Sequence, residues 1–261
     1  MSDAGAGMAR NLVESLPSAV FLHDSVSASF SGYRFSRLHD LIGELFQQFQ
    51  TLIFFATCGT VVRVLSPHLL SRGDAPAVIV ADSAARYVVS LLPGRIGNIN
   101  ALTVEVANLL GAEPVTTGTS DSLKNLIVGV GCRRGTSAER IVNGIRDVVE
   151  SIGSSVFEVR LLAGVDLRAE EAGLQEAAHV LNIPLRLVPS EEILAYSRSI
   201  QAADSPKRVF NLSCGAEPAA LLAGSRTRLV MSKRIWGNLT IAVAREDASW
   251  SSFHSSTDRF A

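Results

Sequence analysis

"LIVGVGCRRGTSAERIVNGIRDVVESIG", residues 126–153, decides how this chain is read. It opens on a short apolar run, turns through glycines, a cysteine and two adjacent arginines, and then places apolar residues at helical spacing up to Gly153. A buried strand that feeds an amphipathic helix through a glycine turn is the building unit of a parallel α/β sheet.

The same alternation runs outward in both directions. "LIFFA" (52–56), "AVIVA" (77–81), "YVVSLL" (87–92), "FEVRLLAG" (157–164), "LRLV" (185–188) and "LTIAVA" (239–244) read as buried strands bounded by Gly, Pro or polar turns. Helical periods occupy 37–49, 99–111, 169–182 and 217–224. The 261 residues suffice for two domains of ordinary size, about 100–150 residues each. The weakest stretch for regular structure is "PVTTGTSDSLKN" (114–125), which places the boundary there. The expectation is an α/β protein of two small domains, 1–121 and 122–246, each a mostly parallel sheet flanked by helices, with a polar tail over 247–261.

Composition excludes several classes. Hydrophobic residues at 47% and charged residues at 19% support buried cores. A net charge of −1 provides no basic field, so a nucleic-acid partner is not expected. Cys58, Cys132 and Cys214 are too few and too far apart for a disulfide framework, which fits a reducing, cytoplasmic setting. No segment reaches the length of a membrane span, and the first residues are too polar for a signal peptide, so no membrane partner is expected. His23, His39, His68, His179 and His254 show no ligand spacing, so no metal site is expected.

Ligands of open α/β sheets bind beyond the carboxyl ends of strands, where glycine turns and helix N-termini offer N–H groups. Three stretches have that form: "LLPGRIGNINAL" (91–102), "VGVGCRRGTSAE" (128–139) and "FNLSCGAEPAAL" (210–221). The middle one lacks the lysine of a nucleoside-triphosphate loop, and Gly129, Gly131 and Gly135 miss the dinucleotide spacing. A phosphatase-type cysteine loop would need an arginine at Ala138. Thr136 and Glu139 instead form T-x-x-E, which predicts a capping box at a helix start. Arg133 and Arg134, beside a helix N-terminus, are either anchors for an anion or a solvated pair. Cys132 is either an activated thiolate or a small buried residue in a tight turn. His68, between Pro67 and two leucines, reads as structural. Arg63 either binds a carboxylate or pairs with Asp74 or Asp82.

Taken in order, "MARNLVESLPSAVFLHDS", "ELFQQFQTLIFFATCGTVVRVLSP", "DAPAVIVADSAARYVVSLLPGRIGNINAL", "LLGAEPVTTGTSD", "VGVGCRRGTSAERI", "DLRAEEAGLQEAAHVLNIPLRLV", "AEPAALLAG" and "LVMSKRIWGNLTIAVAR" resemble the cobalt-precorrin 5A hydrolases of anaerobic cobalamin biosynthesis. The resemblance covers nearly the whole chain, and "GVGCRRGTS" is its most specific element. It implies opening of the ring-A δ-lactone of cobalt-precorrin 5A with loss of acetaldehyde, giving cobalt-precorrin 5B. The alternative it implies is a non-catalytic binder or carrier of a corrinoid intermediate. Cobalt then arrives with the substrate, and the protein needs no cofactor of its own. The implied partners are that cobalt-corrinoid small molecule and, beyond it, a second copy of the chain or neighbouring enzymes of the pathway.

Lactone opening needs a general base, and Glu217 matches the glutamate of the family's third loop; its competing reading is a first-turn capping carboxylate. The macrocycle's acetate and propionate groups need anchors, which arginine supplies bidentately. The resemblance assigns these to Arg63, to Gly94, Arg95, Gly97 and Asn100, to Thr116 and Thr117, to the run Gly131, Cys132, Arg133, Arg134, Gly135 and Thr136, and to Lys233. Three departures stand out. Arg95 replaces the histidine of the family's S-G-H-x-G-G-A-N loop, leaving charge anchoring in place of proton transfer. The family's opening strand and glycine turn, expected before "MARNLVES", are absent, and so is the middle domain of fuller members, since only six residues separate Asp121 from Val128.

Overall fold

A computed structural model describes residues 2–27, 30–69, 75–94, 97–118, 124–166, 171–203 and 215–247, with backbone alone over 199–203. The chain divides into two units, Met1–Thr117 and Gly118–Ala261. The expected boundary at 121/122 and nearly all of the expected tail lie outside the described residues.

The first unit contains α1 (Asp3–Ser15), β1 (Phe21–His23), β2 (Tyr33–Phe35), α2 (Leu38–Gln48), β3 (Thr51–Phe55), α3 (Cys58–Leu65), β4 (Ala77–Ala81), β5 (Tyr87–Leu92), α4 (Ile99–Leu110) and β6 (Glu113–Val115). Strands β1 and β2 form a small parallel pair, and the main sheet has the order β3-β4-β5-β6. All of β4 is buried because helices cover both sheet faces. Ala77, Ile79 and Ala81 join one core with Leu12 of α1 and Val106 of α4. Val78 and Val80 join another with Ile42 of α2 and Val61 and Leu65 of α3. Burying each such aliphatic side chain contributes roughly 1.5–3 kcal/mol, which is why an unbroken apolar run reads as a central strand. The β4–β5 pair is antiparallel. Only residues 82–86 connect the two strands, too few for a crossover helix.

The second unit contains β7 (Leu126–Cys132), α5 (Ala138–Ser151), β8 (Val159–Val165), α6 (Ala172–Leu181), β9 (Leu185–Val188), α7 (Ser190–Ala203), α8 (Ala216–Leu222), β10 (Thr227–Trp236) and β11 (Leu239–Glu246). Its sheet has the order β10-β11-β7-β8-β9. Strands β7, β8 and β9 are mutually parallel, whereas β11 runs antiparallel to β7 and to β10. The side chains of β7 alternate between faces. Leu126, Val128, Val130 and Cys132 enter the core with Ile141, Ile145 and Val149 of α5. On the other face a Cβ at Gly129 would overlap the Ala216 carbonyl oxygen, so the missing side chain is what lets α8 lie directly on the strand. Both units are α/β sheets flanked by helices, as the alternation of apolar runs and helical periods predicts. The expected mostly parallel arrangement holds only in the first main sheet. In the second, β10 and β11 are joined by a tight turn that forces antiparallel pairing, leaving parallel and antiparallel pairs equal in number. Strand β10 was not visible in that pattern. Arg228, Lys233 and Arg234 break its apolar alternation, and irregularities in pairing follow Leu229 and Met231.

Candidate functional site

In the second unit β7, β8 and β9 end on one edge of the sheet. β7 lies between β11, paired antiparallel, and β8, paired parallel. The helix following β7 packs on one sheet face and α8 on the other. The carboxyl end of β7 is therefore flanked by a helix on each sheet face, and ligands of open α/β sheets bind beyond such strand ends.

The arginine loop occupies that position. Its turn closes through Thr136, whose N–H donates to the Arg133 carbonyl at 3.1 Å and whose hydroxyl donates to the same oxygen at 2.6 Å. The expected capping box does not form. Ser137 is the N-cap of α5, and it makes no side-chain cap bond. The helix begins one residue late, which puts Glu139 at the second helical position instead of the third, out of register for a reciprocal bond with Thr136.

Arg133 and Arg134 are both exposed, the Arg134 side chain by 87%. Below the loop sits Glu171, a residue the sequence reading missed. It is 8% exposed, accepts the Gly135 N–H through Oε2 at 3.3 Å, and places Oε1 at 3.9 Å from Arg134 Nε. Gly135, at φ 77°, holds the left-handed conformation of the turn. Cys132 is 5% exposed with its side chain in the α5 core, so toward a ligand it offers backbone only. Gly131 is half-buried opposite Thr240.

Glu217 lies in the first turn of α8, as the third loop predicts, and its carboxylate reaches outside its own helix. Its Oε1 accepts the Lys233 N–H at 2.7 Å. Lys233 stands in the second irregular stretch of β10, between the pairs formed by Met231 and Arg234. The bulge turns that N–H toward α8 instead of into the ladder, while the Lys233 side chain is exposed. Nearby on the same sheet edge, Asp166 accepts the Ser190 N–H at 3.1 Å at the start of α7.

In the first unit, Gly94 follows β5 at φ 58°, and a Cβ there would overlap the Ala77 backbone. Gly97 leads to Asn98, the N-cap of α4, whose Oδ1 accepts the Ala101 N–H at 3.1 Å. Asn100 is half-buried in the first turn of that helix. Arg95 lies outside the described residues. The half-buried Thr116 and exposed Thr117 follow β6, which is parallel to β5, so they sit at the same sheet end as Gly94. Arg63 is exposed in the last turn of α3, a helix that leaves from the opposite end because β3 and β4 run the other way. Asp82, offered as its partner, is engaged by Arg86 at 3.1 Å, and Asp74 lies outside the described residues. His68 packs its ring 5.6 Å from Phe46, the structural placement its flanking residues predict. Among the described residues no acid, histidine and cysteine group could hold a metal ion, and no helix is long and apolar enough to cross a membrane.

Comparison with known proteins places these loops in a family. Residues 40–121 match the family model described as cobalamin synthesis G N-terminal, and residues 126–244 match cobalamin synthesis G C-terminus. The cobalt-precorrin-5A hydrolase of Priestia megaterium is 24% identical over 302 residues, covering 78% of this chain and 80% of that protein. That span exceeds the 261 residues of this chain, so the Priestia protein carries additional sequence within the matched region. The cobalt-precorrin-5A hydrolase of Salmonella typhimurium is 33% identical over 125 residues, which cover 46% of this chain and 34% of that protein; the chain thus spans about a third of its length. Among solved structures, a cobalamin biosynthesis protein from Agrobacterium tumefaciens is 31% identical over 47% of this chain and 98% of its own, with a TM-score of 0.39. With the N-terminal and C-terminal family models matched in order along 40–244, this chain belongs to the cobalamin synthesis G family, whose work is cobalamin biosynthesis.

Proposed function

We propose that this protein is a cobalt-precorrin-5A hydrolase, opening the ring-A δ-lactone of its cobalt-corrinoid substrate and releasing acetaldehyde to leave cobalt-precorrin 5B. The observation that carries this reading is the exposed Arg133–Arg134 pair at the carboxyl end of β7, in a chain with cobalt-precorrin-5A hydrolases among its relatives. A carboxylate-rich macrocycle is the kind of ligand that adjacent exposed guanidinium groups at a helix start recognise. Lys233 adds a third cation on β10 of the same unit.

Glu217 is assigned as the general base. The Lys233 N–H holds Oε1 at 2.7 Å, which fixes the carboxylate and leaves Oε2 to take a proton from water. The resulting hydroxide adds to the lactone carbonyl, and the ring C–O bond breaks to give a carboxylic acid and an alkoxide. Collapse of that alkoxide to acetaldehyde cleaves the adjoining C–C bond and returns the electron pair to the macrocycle. None of these steps needs a cofactor of the protein's own, and cobalt is cargo of the substrate. The few, widely spaced cysteines Cys58, Cys132 and Cys214 suit a reducing, cytoplasmic setting.

Anaerobic incubation of the purified chain with cobalt-precorrin 5A is expected to release acetaldehyde with the matching mass loss. Glu217→Gln keeps the acceptor for Lys233 and is expected to lower kcat about 100-fold or more while substrate still binds. The second reading is a non-catalytic carrier of the same intermediate. It is favoured by the bond from the Lys233 N–H to Glu217, which equally suits a carboxylate that only ties α8 to β10. Binding by the wild-type chain with no acetaldehyde would establish the carrier and remove the hydrolase.

A further inference from the structure

Glu171 is unusual among the described acidic residues because it is buried, at 8% exposure, while its carboxylate reaches outside its own helix. It stands at the N-cap position of α6 and makes no side-chain cap bond there. Its carboxylate reaches the Gly135 N–H, 36 residues back in the sequence, and Arg134 beside it. A buried carboxylate is costly unless donors or cations face it, so its fit under the loop ties the loop to α6. The first turn of α6 presses on the loop a second time, because a Cβ at Gly173 would overlap the Thr136 carbonyl oxygen. Two contacts from one helix start thus decide where Arg133 and Arg134 are presented.

We propose that Glu171 is a positioning residue for the arginine loop and sets how strongly that loop attracts carboxylates. Its hydrogen bond fixes the turn at Gly135, and its charge offsets part of the repulsion between two neighbouring guanidinium groups. The same charge competes with an incoming carboxylate for Arg134, whose side chain is 87% exposed and free to turn outward. Geometry and charge at this residue therefore act on ligand affinity in opposite directions. This inference rests on the reading of the loop as a carboxylate anchor.

The test is titration of the full chain with dicyanocobyrinic acid, a stable cobalt corrinoid whose side-chain carboxyls are free, at low and high salt. Glu171→Gln keeps an oxygen for Gly135 and removes the charge, so binding is expected to tighten about threefold at low salt and to lose that gain at high salt. Combining it with Arg134→Ala should abolish the gain. Glu171→Ala leaves the Gly135 N–H without its acceptor and should weaken binding roughly tenfold at either salt. A merely structural role would move both substitutions the same way. Thermal melting identifies any variant that fails to fold; should Glu171→Ala do so, Glu171→Gln with and without Arg134→Ala still decides the matter. Shifts of the same sign, or no salt-sensitive gain from Glu171→Gln, overturn the role of Glu171 when Arg133→Ala with Arg134→Ala has lost binding. Unchanged binding in that arginine variant removes the anchor reading, and this role with it.

Discussion

At Asp82 one carboxylate closes the β4–β5 hairpin. Oδ1 accepts the N–H groups of Arg86 at 2.6 Å and Tyr87 at 2.9 Å, and Oδ2 accepts Arg86 Nε at 3.1 Å. The Tyr87 N–H chiefly holds its carboxyl below the ordinary value of 3.8; desolvation opposes it, and the Arg86 side chain and N–H add to the lowering. A carboxyl with a lowered folded pKa adds stability above its unfolded pKa and loses it as pH falls through the folded one. Asp82→Asn is expected to cost about 1 kcal/mol near neutrality. In urea unfolding followed at descending pH, the gap to wild type should narrow below 3.8 and close once the carboxyl is protonated. A gap that ignores pH would remove this account of the hairpin. At this scale the sequence exposed Arg133 and Arg134, because adjacent cations beside a helix start are conspicuous in one dimension. It hid Glu171, because a carboxylate whose acceptor role spans 36 residues has no local pattern.

The packing of α8 on β7 belongs to the scale of elements. Gly129 has no room for a methyl group beneath Ala216, whereas two residues along the same strand a Cβ at Gly131 would meet Thr240 at an ordinary 3.6 Å. Gly129→Ala should therefore lift α8 and cost about 1–3 kcal/mol, with a fall of several degrees in Tm. Gly131→Ala should leave Tm nearly unchanged. Similar melting curves for the two variants would mean that α8 docks with slack. Most strands and the longer amphipathic helices were legible, because burial on both faces demands an apolar run and burial on one face demands a helical stripe. β10 was not, since an edge strand carrying Arg228, Lys233 and Arg234 satisfies its backbone through β11 without needing an apolar sequence. The T-x-x-E match at 136–139 was legible and misleading: the turn drew the Thr136 hydroxyl to the Arg133 carbonyl, and the helix started at the next residue.

For the whole molecule, each unit builds its cores from its own residues: Ala9 to Ala112 and Ile42 to Val80 in the first, Leu126 to Val243 in the second. A chain of residues 118–261 alone is therefore expected to fold, showing α/β circular dichroism and a cooperative thermal transition. A broad, non-cooperative melt would show that the second unit needs the first. The sequence by itself determined the α/β class, most of the strands, the family and the cationic character of the loop after β7, because all of these follow from residue type at short spacing. Only the tertiary structure decided that β4 and β5 pair antiparallel, that Glu217 is held by the Lys233 N–H, and that Glu171 lies beneath the arginines. Those contacts join segments that are distant in the chain or connected too tightly for a crossover. Their energies depend on burial and approach, which no local pattern encodes.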